Sequence, residues 1–302
     1  MGNVVLIACT NIGRAMIEAI MNDSSLKDVH LTGIVNLKPE AATGKANYDS
    51  YVDLAGKYGL NIYYCENVNE SACVSFLKKC RPDIIIQSGW SQKFRQEILD
   101  IPTYACIGEH PAPLPKGRGA ACVNWAILTG EHEWGDTFFQ MEMQYDTGLI
   151  YAQEFFNIEL YDDVKTVYDK VALCAVRTIR KHLPAWTAGK LDGVRQDDTK
   201  ATHYPRRRPT DGEFAFADKP ALELYNFIRA QAKPYPGAYF IHKGKKVYVW
   251  QARLSDDLRP EEHAVICGDG KSLILCRVQQ EGEPEMWAAD YFAGHDINQR
   301  AV

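Results

Sequence analysis

The sequence predicts an α/β protein in which a mostly parallel, doubly wound sheet is followed by a smaller unit of short strands. From residue 3 to residue 87, apolar runs alternate four times with segments whose apolar residues fall at helical spacing. Beyond residue 203 the pattern changes to brief β-like runs divided by Gly and Pro. The chain has 302 residues, 46% of them apolar, which is enough to fill two cores.

Residues 3–9 are a continuous apolar run that turns at Thr10-Asn11 into a helical pattern over 12–21, the usual opening of such a sheet. Only Gly13 stands where a dinucleotide-binding turn would carry three glycines, which argues against a nicotinamide cofactor. The alternation continues with a strand over 30–35, a helix over 50–58, a strand over 61–65, a helix over 70–80 and a strand over 83–87. Asn67 and Asn69 are placed to cap the helix that follows them. Four βα units in succession predict parallel strands with right-handed crossovers. A short helix over 121–129, strands over 136–144 and 150–160, and a long helix over 164–189 complete the first domain; Val167, Val171, Ala175 and Ile179 form the helix's packing stripe. The polar stretch 189–203 reads as a linker, placing the domains at 1–203 and 204–302. In the second, a helix over 220–230 and strands over 238–242, 246–252, 264–266 and 272–276 predict a small barrel.

Composition narrows the function classes. Nine scattered cysteines without a C-x-x-C pair predict reduced thiols in a cytoplasmic protein with no structural zinc or other metal. Residues 4–9 have neither a basic leader nor a cleavage site, Leu6 stands where a myristoylation signal needs Ser or Thr, and no run approaches the ~20 apolar residues of a membrane span. Net charge is −5, and residues 204–302 hold 14 basic and 14 acidic side chains. A nucleic-acid partner would call for a basic surplus, so none is expected, although Arg206–Arg208 is a local cationic patch.

The strongest candidate for chemistry is His110. It closes a β-like run and opens a loop stiffened by Pro111, Pro113 and Pro115 and turned by Gly117 and Gly119. The carboxyl end of a strand is where open α/β sheets hold their ligands; the alternative is an imidazole that only braces its own loop. Thirty-six residues later comes Asp146, followed by Thr147-Gly148. A carboxylate that accepts the imidazole N–H fixes its tautomer and raises its pKa, as proton transfer near neutrality requires. Ser88-Gly89-Trp90-Ser91 breaks the pattern after the fourth strand; Gly89 would let a flat ligand approach the backbone, or the segment is an ordinary turn with an exposed ring.

These residues resemble the formyltransferases that use N10-formyltetrahydrofolate, whose signature is Asn-x-His-x-x-x-Leu-Pro-x-x-x-Gly followed by Asp-x-Gly. His110, Leu114-Pro115, Gly119, Asp146 and Gly148 occupy those places. The likeness continues through residues 123–130, and residues 205–212 and 233–238 are similar to the second domain of the UDP-4-amino-4-deoxy-L-arabinose formyltransferases. The resemblance implies a Rossmann-like catalytic domain and an OB-like barrel, with His110 as acid/base and Asp146 holding it. It also implies a folate donor held by Gly89, Trp90, Gln92, Lys93 and Phe94 and by the loop of Glu142, Met143, Gln144, Tyr145 and Asp146. The acceptor it favours is a nucleotide-linked 4-amino sugar, foremost a uridine diphosphate one, as in polysaccharide biosynthesis. Arg118 and Arg206 are then candidates for the pyrophosphate and Tyr235 for a stacking surface. A solvated arginine patch and a packed tyrosine are the plain alternatives. Sugar-modifying relatives are often dimers, which makes a homodimer the expectation.

One position departs from the signature. Gly108 replaces the Asn whose amide stabilises the oxyanion, and loss of one such donor costs roughly 10²- to 10³-fold in rate. Strand alternation turns Glu109 to the other face. That leaves Gln87, at the end of the neighbouring strand, as the expected replacement, with a bound water as its rival. Methionyl-tRNA or glycinamide ribonucleotide formyltransferase activity, or silent binding of folate or nucleotide sugar, stand as alternative functions.

Overall fold

The computed structural model describes residues 2–293, which divide into two compact units. The first takes in Met1–Cys122, Glu133–Asn157 and Tyr168–Tyr204. Its elements follow the βα alternation: β1 (Gly2–Ala8), α1 (Asn11–Asn22), β2 (Val29–Leu37), α2 (Val52–Tyr58), β3 (Ile62–Cys65), α3 (Ser71–Cys80), β4 (Ile84–Ser88), α4 (Gln96–Leu99) and β5 (Ala105–His110). In chain order, β6 (Arg118–Gly119) and α5 (Cys122–Leu128) precede β7 (Glu133–Gln140), β8 (Ile150–Asn157) and the long α6 (Val164–Trp186), with α5 past Cys122 and the first turn of α6 belonging to the second unit.

The seven-stranded sheet runs β3-β2-β1-β4-β5-β7-β8, parallel through β5 and antiparallel beyond it. Strand order reverses between β1 and β4, next to β5, and the carboxyl ends at such a switch point are where open α/β sheets hold their ligands. The central strands carry Val4, Val5, Leu6, Ile7, Ile84, Ile85 and Ile86, all fully buried, as strands covered on both faces require. On one face Val35, Leu77, Ile85, Trp90, Phe94, Ile98 and Cys106 form a single core.

Three expectations need correction. The strand placed at 136–144 ends at Gln140, because the chain doubles back: a Cβ on Gly148 would lie 1.9 Å from the Gln140 carbonyl oxygen, an approach only glycine permits. The strand placed at 150–160 ends at Asn157, since Ile158 N–H turns to the His132 carbonyl. The stretch taken as a linker is tied into the first unit. Val194 pairs with Ile150, and β9 (His203–Tyr204) lies parallel to β6.

The second unit comprises Val123–His132, Ile158–Val167 and Pro205–Val302. Its strands β10 (Ala238–His242), β11 (Lys245–Arg253), β12 (His263–Ile266) and β13 (Ser272–Gln280) pair antiparallel in the order β10-β11-β13-β12, and β14 (Met286–Trp287) joins β13. With α7 (Ala221–Arg229) and α8 (Ala288–Ala293) they enclose Leu224, Ile228, Phe240, Val247, Val249, Leu273, Leu275 and Tyr291. Among the described residues no helix is long and apolar enough to cross a membrane.

Candidate active site

His110 is the last residue of β5 and is buried. Its Nε2 lies 2.8 Å from the Gly117 carbonyl oxygen, which can only accept, so that nitrogen carries a proton. Nδ1 faces Asp146 Oδ1 at 3.9 Å, an ion-pair distance beyond hydrogen-bond reach. The proline-rich loop thus closes on the ring from one side while the carboxylate stands on the other.

Asp146 holds its place through its backbone. It sits in the left-handed region at φ +58, its Oδ2 accepts the Gly119 N–H at 2.9 Å, and Gln196 Nε2 donates to the carbonyls of Asp146 and Gly148 at 2.9 Å each. Burial pulls the His110 pKa down, but the Cys122 sulfur, the Asp146 carboxylate and the Gly117 carbonyl outweigh it and raise the value to about 10. The shift favours the charged form of the ring.

Gly108 pairs with Gln87 on one side and Phe139 on the other. A Cβ there would lie 2.6 Å from Phe139 Cε1 and 3.2 Å from Met141 Cγ, so an aromatic ring fills the space a side chain would use. Gln87 Nε2 donates to the Trp90 carbonyl at 3.1 Å, tying the amide to the turn that follows.

In that turn Gly89 has φ +62 and is pressed on the Thr10 side chain, and the indole N–H of buried Trp90 has no protein partner. Gln92 bonds Val68 N and the Glu66 carbonyl, Phe94 is buried, and Lys93 Nζ lies 5.6 Å from the centre of the Tyr145 ring. Glu142, Met143, Gln144 and Tyr145 form an exposed segment, Tyr145 at 60%.

The expected acceptor-side positions are occupied differently. Arg118 is 4% exposed, with its guanidinium committed to Gln196 Oε1 at 2.7 Å and Asp198 Oδ1 at 2.6 Å. It braces the Asp146 loop through Gln196. Arg206 and Tyr235 belong to the second unit, the first exposed and the second half-buried. Between Arg206 and Arg208, the Arg207 guanidinium lies 5.2 Å from the Trp125 ring centre and 5.8 Å from that of Phe227.

The sequence reading passed over Gln196, which lay in the supposed linker, and a buried acid pair behind β5. Glu109 is 3% exposed and accepts the Ser88 hydroxyl at 2.6 Å; Asp136, fully buried, is its diagonal neighbour on β7, on the same face of the sheet. Burial raises the pKa of both carboxyls, Asp136 most strongly. Alternation held the signal: 136 shares a face with Trp134 and Phe138, where an acid is out of place. A groove of about 1020 Å³ at the amino-terminal edge of the sheet, lined by Asp23, His30, Tyr58 and Lys79 among others, contains none of these residues.

A buried histidine facing a carboxylate at the carboxyl edge of an open α/β sheet is an arrangement suited to proton and group transfer. Comparison with known proteins places it. The formyl transferase family model matches residues 4–182 and its C-terminal domain matches 207–296, so the chain belongs to the formyl transferase family. A methionyl-tRNA formyltransferase of Caldanaerobacter subterraneus is 32% identical over 269 residues, covering 85% of this chain and 86% of that protein. Among solved structures, an N-formyltransferase from Helicobacter canadensis in complex with folinic acid and dTDP-3-aminofucose is similar with TM-score 0.68 at 17% identity, covering 93% of this chain and 100% of that one. HypX from Aquifex aeolicus is similar with TM-score 0.68 at 17% identity over 97% of this chain. The chain spans about half the length of HypX, 49%. At such identities the two structures show the fold alone.

Proposed function

We propose that this formyltransferase moves a formyl group from N10-formyltetrahydrofolate to the primary amine of a nucleotide-linked 4-amino sugar. On this reading the donor lies against Gly89, Trp90 and Phe94 and the exposed segment 142–145. Gly89's positive φ, the partnerless indole N–H and the open backbone of that segment suit a flat ring with a polar edge. Nε2 of His110 is held on the Gly117 carbonyl, so proton exchange with substrate runs through Nδ1, beside Asp146. The amine has to arrive unprotonated, and holding two reactants together supplies much of the acceleration.

Charge carries the choice of acceptor. Residues 204–302 hold equal numbers of acids and bases and the whole chain is at −5, the wrong balance for gripping a polyanionic tRNA. The 32% identity to a methionyl-tRNA formyltransferase favours the second reading, transfer to initiator tRNA. Incubating the protein with the folate donor and, in turn, UDP- and dTDP-amino sugars, initiator tRNA and glycinamide ribonucleotide, with formyl mass gain as readout, decides between them. A gain on tRNA and on no sugar would overturn the sugar assignment; no folate-dependent gain on any acceptor would leave silent binding.

A further inference from the structure

Both ring nitrogens of His110 look to partners outside β5, the strand that carries the ring. Nε2 lies 2.8 Å from the Gly117 carbonyl on the proline-rich loop, and Nδ1 faces Asp146 on the loop between β7 and β8. Two separate loops have to be held in register with each other. One segment of the first unit, residues 194–204, bonds to both. On the Gly117 side, the Thr202 hydroxyl accepts the Gly117 N–H at 2.8 Å, and the Thr202 and Tyr204 carbonyls accept the Arg118 and Ala120 N–H groups at 2.9 and 3.1 Å. β9, laid along β6, leaves Gly119 no room for a side chain, and the Gly119 N–H runs to Asp146 Oδ2 at 2.9 Å.

On the Asp146 side the contact is Gln196, 7% exposed. Its Nε2 gives its hydrogens to the carbonyls of Asp146 and Gly148, and its Oε1 takes Nε and Nη2 of Arg118 at 3.2 and 2.7 Å. A flipped amide would set its oxygen against two carbonyls and its N–H groups against a guanidinium, so its orientation is fixed, and a side-chain amide is the group that joins two donors to an acceptor. Val194 exchanges both backbone hydrogen bonds with Ile150, 2.8 Å each, which anchors the segment at the far end of the same loop. Asp146 itself stands at φ +58, a conformation that a residue with a Cβ keeps only where its surroundings hold it. Without Gln196, relaxation of that backbone swings the carboxylate off the ring.

We propose that residues 194–204 are a strap that sets the distance between His110 and Asp146, with Gln196 as the positioning residue for the carboxylate and Thr202 for the loop that holds Nε2. The separation it imposes, 3.9 Å, is too long for a hydrogen bond, so Nδ1 stays open to a substrate proton while the carboxylate still faces it. Gln196 acts through Asp146, since its own polar atoms are all committed to protein groups. The effect on turnover rests on the formyl-transfer reading above; the hold on the geometry does not.

The first measurement needs no substrate. A crystal structure of Q196M, whose side chain has the reach of glutamine without its polar atoms, should show Asp146 Oδ1 farther from Nδ1 than 3.9 Å. An unchanged separation overturns the proposal, whatever the acceptor proves to be. Should Q196M fail to fold, Q196E, which keeps an oxygen for Arg118 and loses the two donors, takes its place with the same expectation. NMR titration of labelled histidine, with the His110 signal assigned from H110N, then asks whether the ring registers the change. Q196M should lower the pH at which His110 loses its proton, as D146N does, and Q196M/D146N should lower it no further than D146N. Turnover is read on the acceptor that the formyl mass-gain screen identifies. Q196M should lose roughly 10²-fold in kcat with KM for the folate donor little changed, T202V should lose less, and Q196M on top of D146N should cost almost nothing more. A Q196M loss that persists in full in the D146N background would make Gln196 merely structural and overturn its positioning role.

Discussion

The two faces of β5 put the same strand to opposite uses. On one, Gly108 and His110 leave a gap that Phe139 fills and a charged ring that Asp146 approaches. On the other, Glu109 meets Asp136 and Ser88 in an interior otherwise made of residues such as Trp134 and Phe138. A one-residue step reverses a side chain's direction, so a strand can hold a histidine on one face and a buried acid pair on the other. The charges are opposite, but the linkage has one sign. Both faces bind protons in the folded chain that the unfolded chain would release, so both lose stability as pH rises.

The largest expected effect breaks the comparison on the ring's face. H110N keeps a side chain of similar reach, and should lower transfer by roughly 10²- to 10⁴-fold while the protein still unfolds in one cooperative transition at pH 7. Near-normal turnover would remove His110 from proton transfer. A smaller effect compares the two faces through pH. A buried acid with a raised pKa is most favourable below its ordinary value, 4.5 for Glu109 and 3.8 for Asp136, and its contribution falls as pH climbs from there. The raised His110 contributes fully below 6.5, and that contribution is lost as pH rises to about 10. Each proton is worth about 1.4 kcal/mol per pH unit inside its window. Denaturant unfolding from pH 4 to 10 should therefore show a slope that E109Q/D136N flattens from the acid side and H110N flattens only above neutrality. Identical slopes in all three proteins would mean that neither face holds a proton beyond the unfolded chain's.

Much of this was legible in the sequence. Apolar periodicity located the strands and helices of the parallel sheet, because residues 4–8 of β1 and 84–86 of β4 are fully buried and form unbroken apolar runs. His110 and Asp146 were legible because stiff and flexible residues had to bracket them: Gly119, whose Cβ would meet the Tyr204 carbonyl oxygen at 2.3 Å, and Gly148 against Gln140 both admit only glycine. Gln196 was not, since a polar residue in a polar stretch has no local mark; only its bonds to Arg118, Asp146 and Gly148 make it a hub. The acid pair was half legible. Alternation put Glu109 on the face opposite Gly108 and His110, but nothing in the sequence said that Asp136, twenty-seven positions on, would share that face beside it.

The smallest expected effects separate two arginines that looked equivalent in the sequence. Arg118 is buried, and Gln196 Oε1 takes both its Nε and its Nη2; removing the guanidinium leaves that oxygen without a donor. R118M should therefore cost about 1–3 kcal/mol of stability. The Asp198 half of its interaction adds little to this, because that carboxylate is 78% exposed. Arg206 is exposed in the second unit, and R206A should change stability by less than about 0.5 kcal/mol. If Arg206 meets the pyrophosphate of the acceptor, R206A should raise KM for the nucleotide sugar by about tenfold or more while kcat holds, the mark of a contact made equally in ground and transition states. Urea unfolding and steady-state kinetics on both variants decide the matter. An R118M protein that is as stable as wild type but binds the acceptor weakly would transfer the anion-binding role to Arg118, and with it shift the acceptor's phosphates to the Asp146 loop.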